Sequence, residues 1–300
     1  MKKFEEHFNQ EAIISSQRAL RPIIKKEDVT CPFCPKNEKS LDQIIMEKWH
    51  GNMMCAKIVN NKYPITNSNE TRGFHDVVID TLNHNEKARD FSIVHWEILL
   101  LAIKERWLLL MKLPNICFIQ VFKNDGEDAG ASIAHSHWQI LALEEVPKKM
   151  QWHYQYYNQG DPHKACYLCS IEDEGFLVFE NENWRVWIPP SPEFDGEVWL
   201  VPKIHRQHFG QLTTMEIKNL GKLIKYLLLA YEKIKPDTAY NICFMSGDVK
   251  GTWPYHFYVK MIRRKGRIAG FEIATGCHII TQRPETYGSE IKNILKGMYQ

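Results

Sequence analysis

The chain has 300 residues, 44% of them hydrophobic and 25% charged, with a formal net charge of +2. That length suits two domains of roughly 150 residues each, and the near-neutral charge removes the electrostatic case for a nucleic-acid binder. No stretch approaches the ~20 apolar residues of a membrane helix, and the amino terminus MKKFEEHFNQ lacks an apolar segment behind its lysines. A cytoplasmic protein with reduced thiols is therefore expected, so the closely spaced cysteines need a reason other than disulfides.

In chain order, the first landmark is Cys31-Pro32-Phe33-Cys34. Residues 76–84 read as a strand ending on His84, and residues 86–111 carry apolar side chains at helical three- and four-residue steps. Asn115-Ile116-Cys117-Phe118 starts a β-prone run, and a loop with two glycines leads to His135. Residues 151–163, with Gly160-Asp161-Pro162, fit a connector. The order then repeats. Cys166-Tyr167-Leu168-Cys169 is followed by a strand over 197–205 ending on His205, a helix over 213–233, Asn241-Ile242-Cys243-Phe244 and His256. Both His84 to His135 and His205 to His256 span 51 positions. The reading is a duplicated α+β fold, with one half over 1–150 and the other over 151–300.

Each half offers two cysteines and two histidines. Two thiolates with two imidazoles make a tetrahedral donor set suited to zinc. The expected sets are Cys31, Cys34, His84 and His135, and Cys166, Cys169, His205 and His256, giving one or two zinc ions per chain. His208 is an alternative fourth ligand in the second half. Each CxxC could instead be a pair of buried thiols or a redox pair, and the histidines could be packed core residues. Cys55, Cys117, Cys243 and Cys277 read as core. Four protein ligands leave no open position, so these sites read as structural.

The halves differ after the last histidine: His135-Ser136-His137-Trp138-Gln139 against His256-Phe257-Tyr258. On a strand, residues 135, 137 and 139 share a face. A metal-held His135 would then present His137 as a nucleophile, and Gln139 as a donor to a phosphoryl oxygen. His137 could instead be a further ligand or a packed strand residue, which the preceding segment weighs against. The preceding segment, 123–132, has the glycines and polar groups of a phosphate-side loop.

The run from Phe122 to Gln139 resembles the active-site segment of galactose-1-phosphate uridylyltransferases. So do Arg18-Ala19-Leu20-Arg21-Pro22, the Cys31–Cys34 segment and Gly73 through Ile79. Gly270 through Cys277 is closer to the related ADP-glucose phosphorylases. Both belong to the histidine-triad superfamily, and the resemblance implies a duplicated histidine-triad-like fold with an antiparallel sheet and helices in each half. It also implies that His137 attacks the α-phosphorus of a nucleoside-diphosphate sugar, sugar 1-phosphate leaves, and the nucleotide passes to a second acceptor in ping-pong order. Gln139, Ser132 and Gly130 would hold phosphate oxygens, and Arg18, Arg21, Asn61 and Asn124 would line the nucleotide. Glu272 would contact sugar hydroxyls across a homodimer. Without the resemblance, Arg18, Arg21 and Glu272 read as surface charges and Asn61 as a turn residue.

Three departures from the family pattern bear on specificity. Ser136 and Trp138 replace residues of the usual HPHxQ segment, and Lys62 stands where an acidic ribose contact is common. Tyr258 replaces a second nucleophile, so one nucleophile per chain is expected. The leading expectation is a UDP-glucose:hexose-1-phosphate uridylyltransferase-like enzyme. The alternatives are phosphorolysis of ADP-glucose or a dinucleoside polyphosphate, and a non-catalytic nucleotide- or zinc-binding protein.

Overall fold

The computed structural model describes residues 2–5, 10–21, 23, 31–66, 72–157, 166–170, 176–252, 254–264 and 268–299. Two short strands, β1 (Lys2–Glu5) and β2 (Gln10–Ile13), form a separate antiparallel pair. The first half then supplies β3 (Ile44–His50), β4 (Met53–Asn60), β5 (Gly73–Ile79), β6 (Phe118–Asp125) and β7 (His137–Leu143). The second supplies β8 (Leu177–Glu180), β9 (Trp184–Trp187), β10 (Val198–Pro202), β11 (Tyr240–Met245) and β12 (Tyr258–Arg263). All ten join one antiparallel sheet in the order β3-β4-β5-β7-β6-β11-β12-β10-β9-β8. The second half repeats the first in reverse. The halves meet where β6 pairs β11; β6 begins on the last residue of the first Asn-Ile-Cys-Phe tetrapeptide and β11 contains the second.

One face of the sheet carries the long helices α1 (Ile93–Met111) and α3 (Thr214–Ile234), which pack on each other. The remaining helices are α2 (Lys148–Tyr157), α4 (Gly270–Thr275) and α5 (Pro284–Tyr299). Trp96, Leu99, Leu100, Ile103, Trp107 and Leu110 recur at helical spacing along α1 and are all buried. They meet Trp138, Ile140 and Ala142 of β7 in the largest core cluster. Trp138 therefore points away from His137, as strand alternation requires. A side chain at Gly221 of α3 would come within 2.9 Å of Trp96, so the two helices approach closely there. Ser92 caps α1 and Thr213 with Glu216 forms a capping box on α3, each satisfying amide hydrogens that the first turn leaves free.

Four local expectations shift. The helix read over 86–111 begins at Ile93, because Ser92 accepts the His95 amide and residues 88–90 form a short 3-10 turn. The strand toward His84 ends at Ile79, where Thr81 accepts the Asn83 amide and turns the chain. His135 precedes β7, which starts at His137. The connector begins inside α2, and residues 158–163 lie outside the described residues. No helix among the described residues is long and apolar enough to cross a membrane.

Candidate functional site

Both expected metal sets assemble. Cys31, Cys34, His84 and His135 bring one ligand atom each within 4.8 Å of one another, and so do Cys166, Cys169, His205 and His256. Cys34 Sγ lies 3.3 Å from His84 Nδ1 and 3.7 Å from His135 Nδ1. In the second set Cys169 Sγ lies 3.3 Å from His205 Nδ1 and 3.4 Å from His256 Nδ1. A tetrahedral ion with Zn–S and Zn–N bonds of ~2.3 and ~2.0 Å separates S from N by about 3.6 Å. Both donor sets fit such an ion. The outer nitrogens agree: His135 Nε2 donates to the Thr81 carbonyl at 2.8 Å and His256 Nε2 to the Pro202 carbonyl at 3.0 Å, which frees Nδ1 in each ring. His208 is buried elsewhere, stacked on Trp107. Of the cysteines read as core, Cys55 is buried and Cys117 and Cys243 are half-buried, but Cys277 is exposed. It follows α4, a helix that buries no residue.

His137 opens β7 beside the first metal set. Its Nδ1 donates to the His135 carbonyl at 2.8 Å, so the lone pair of the neutral ring sits on Nε2. The ring is nearly buried, and burial pushes its pKa down to about 4. Phe33, from the first CxxC loop, packs edge-on to it with ring centroids 5.2 Å apart. The first CxxC loop is thus one wall of the surroundings of His137. Beneath, Lys123 is fully buried and donates to Asp80 at 2.8 Å, to Ser136 Oγ at 2.6 Å and to the His137 carbonyl at 3.3 Å. That uses all three ammonium hydrogens. Ser136, a departure at the sequence level, is a partner of this lysine.

His137 and Gln139 line a cavity of about 280 Å³ together with Arg21, Asn61, Lys62, Tyr63 and Ser132, and with an apolar end formed by Phe33, Leu41 and Val59. Asp42 and Ser40 also line it. The segments named in the sequence for nucleotide and phosphate thus converge at Arg21, Asn61, Ser132, His137 and Gln139. Four other expected residues, Arg18, Asn124, Gly130 and Glu272, are not among the lining. Arg18 instead donates to the Tyr63 carbonyl at 3.1 Å and so braces the wall. Asn124 accepts from Asn241 at 2.8 Å across the β6–β11 seam. Gly130 adopts φ 80° at the end of the loop's 3-10 turn, a conformation glycine takes without strain. Glu272 is half-buried on α4, where it accepts the Ala269 amide.

One site residue escaped the sequence reading. His75 on β5 is 4% exposed and touches both Gln139 and Asn61. A histidine within a mostly apolar strand was the available signal.

The model of a "Domain of unknown function (DUF4931) N-terminal domain" matches residues 12–146. An ADP-glucose phosphorylase of Arabidopsis thaliana is 29% identical over 95% of this chain and 90% of its own. Its crystal structure with bound ADP-glucose superposes with a TM-score of 0.80 over 97% of this chain and 98% of that one. A galactose-1-phosphate uridylyltransferase of Thermotoga maritima is 27% identical over 74% of this chain and 72% of its own. A uridylyltransferase structure, 24% identical, shares the fold with a TM-score of 0.84 over both full chains. Alike in sequence and in fold along nearly its whole length, the chain is similar to galactose-1-phosphate uridylyltransferases and ADP-glucose phosphorylases, which are nucleotidyltransferase enzymes.

Proposed function

We propose that the chain transfers a nucleotidyl group from a nucleoside-diphosphate sugar through a covalent intermediate on His137. The observation that carries this reading is the hydrogen bond from His137 Nδ1 to the His135 carbonyl, in a ring that borders the cavity. It leaves Nε2 as a neutral nucleophile of fixed orientation. Nε2 forms a bond to the α-phosphorus while the bond from that phosphorus to the bridging oxygen breaks. The electron pair leaves with sugar 1-phosphate. An oxygen of a second phosphate then attacks the same phosphorus and returns the pair to Nε2. Gln139 and Ser132 donate to the phosphoryl oxygens, and Arg21 offsets their charge.

An adenylyl donor with inorganic phosphate as acceptor is favoured by the similarity to ADP-glucose phosphorylase over 95% of the chain. Uridylyl transfer to a hexose 1-phosphate is the second reading, supported by the Thermotoga relative over 74% of it. Both donor sets would hold zinc, which braces the CxxC loop against the turn carrying His135. Phe271, Ile273 and Ile279 are 55%, 75% and 61% exposed around Glu272, an apolar surface that suits pairing with a second copy of the chain. In that pairing Glu272 would reach the partner's sugar.

Incubation with ADP-glucose or UDP-glucose, followed by intact-mass measurement, tests the reading. An adenylyl or uridylyl increment that maps to His137 and is discharged by phosphate or by a sugar 1-phosphate is expected. A protein that binds nucleotide without acquiring the increment is a binder, and the reading fails.

A further inference from the structure

The two ends of a carboxamide are alike in shape and opposite in chemistry. Gln139 helps a phosphoryl oxygen only if its NH2 faces the cavity; turned over, its carbonyl would repel the same oxygen. Something must choose between the two orientations.

His75 is placed to choose. The Ile65 amide can only donate, and it points at His75 Nδ1 from 3.0 Å. Nδ1 is therefore an acceptor. The ring is buried, and burial together with the guanidinium charges of Arg18 and Arg21 keeps it neutral at physiological pH. A neutral imidazole carries one proton, which must then sit on Nε2. Nε2 lies 3.0 Å from Gln139 Oε1 and donates to it. Gln139 is thereby held with its carbonyl toward His75 and its NH2 free. Asn61 also touches the ring. Its Oδ1 accepts the Tyr63 amide at 2.9 Å, and its Nδ2 lies 3.2 Å from the protonated Nε2, which cannot accept from it. Its own backbone amide donates to the His75 carbonyl at 2.8 Å, so the strand edge holds the group together.

We propose that His75 is a positioning residue: its Nε2 proton orients the Gln139 amide so that it presents its N–H group to the phosphates of the donor over His137. This rests on the nucleotidyl-transfer reading for the identity of what the amide faces. The orientation itself follows from hydrogen bonds within the chain.

Two experiments test it. In full-length protein labelled with ¹⁵N at histidine, the ring signals of His75 are identified by their loss in His75→Gln. They should report the Nε2–H tautomer at neutral pH. An Nδ1–H or cationic ring overturns the proposal. Separately, adduct formation at saturating nucleotide sugar is timed in single turnover for His75→Phe and His75→Gln, each alone and combined with Gln139→Ala. Losing one preorganised donor to a developing anion costs roughly 10²–10³ in rate, so misorienting it should cost about 10- to 100-fold. His75→Phe should slow the step by that factor alone and add nothing in the Gln139→Ala background. His75→Gln, which keeps both a donor and an acceptor, should recover part of the loss. Equal losses in both backgrounds assign His75 to packing and overturn the proposal. Should His75→Phe fail to fold, His75→Gln and the tautomer measurement decide. If the unsubstituted protein forms no nucleotidyl adduct at all, the nucleotidyl-transfer reading falls, and with it the role toward phosphate. Adduct formation with the wrong tautomer sinks His75 alone.

Discussion

Replacing Lys123 with methionine should be the most damaging single change near the site that removes neither a metal ligand nor His137. Lys123 and Asp80 are both fully buried, with Nζ 2.8 Å from Oδ2. The other carboxylate oxygen of Asp80 has no partner among the described residues, so the lysine carries most of its compensation. Methionine keeps the length of the stem and removes the charge. Removing one partner of a buried ion pair costs about 3–5 kcal/mol, because the survivor remains desolvated. Ser136 Oγ and the His137 carbonyl lose a donor as well, each worth about 1 kcal/mol. Typical folding stabilities are about 5–15 kcal/mol, so Lys123→Met should lower the urea midpoint by a large fraction. Lys123→Met with Asp80→Leu should be more stable than Lys123→Met alone, since the uncompensated carboxylate is gone. Equilibrium urea unfolding of metal-replete protein, followed by tryptophan fluorescence, reads both. A loss below about 1 kcal/mol in Lys123→Met, or a double variant weaker than the single, refutes the reasoning.

Four further outcomes are expected. His137→Ala should fold and retain metal while kcat falls roughly 10³-fold or more, as expected for a lost nucleophile; near-normal turnover would assign the attack elsewhere. Elemental analysis should find zinc, and Cys31→Ser should lose it from the first set with a marked fall in melting temperature, since the ligands tie the loop to residues 84 and 135; folded, active, metal-free protein contradicts this. His75 has its folded pKa lowered to about 4 by burial, so between pH 4 and its ordinary ~6.5 the unfolded chain binds more protons and stability falls as pH falls. Relative to His75→Gln, the unsubstituted protein should lose roughly 2 kcal/mol between pH 7 and 5, read from paired urea titrations; parallel curves would mean the ring titrates normally. Light scattering should give a dimer, and Glu272→Ala should slow discharge to a sugar 1-phosphate more than it slows adduct formation; a fully active monomer removes the partner-subunit site.

The metal sets were legible because their chemistry is confined to a few residue types and their spacing is repeated. His84 and His135 could be paired from the sequence without knowing that β5 ends at Ile79 or that His135 sits in a turn. His137 was legible by its difference from Tyr258. What the sequence hid was the direction of side chains across strands. Lys123 reads as the first residue of a polar loop, yet β6 extends to Asp125 and turns the lysine into the interior. Asn124 reads as a phosphate contact, yet its neighbour across the seam is Asn241, 117 positions away. The continuous ten-stranded sheet depends on the pairing of β6 with β11, and a local pattern carries no record of it. His75 was hidden for a further reason: its consequence lies in which nitrogen holds a proton, set by the amide of Ile65 on a neighbouring segment.

The asymmetry between the halves argues for what the metal sets do. The second half repeats the donor set and even the outer hydrogen bond, with Pro202 in the place of Thr81. It does not repeat the surroundings of His137. Seventeen positions separate Phe118 from His135 but only twelve separate Phe244 from His256, so the glycine-bearing loop is shortened. At the places of His137 and Gln139 stand Tyr258 and Lys260. Tyr258 stacks on Trp199 with ring centroids 4.4 Å apart, and Lys260 is taken up by Glu193 and Glu197. Tyr154 of α2 packs against Tyr255 over the same face. The face that borders a cavity in the first half is here packed with aromatic side chains. A metal set that served the chemistry directly would have little reason to persist beside a filled face. One that pins a CxxC loop to the turn before a central strand serves both halves alike, and the donor geometry, closed at four ligands in each, is that of a brace.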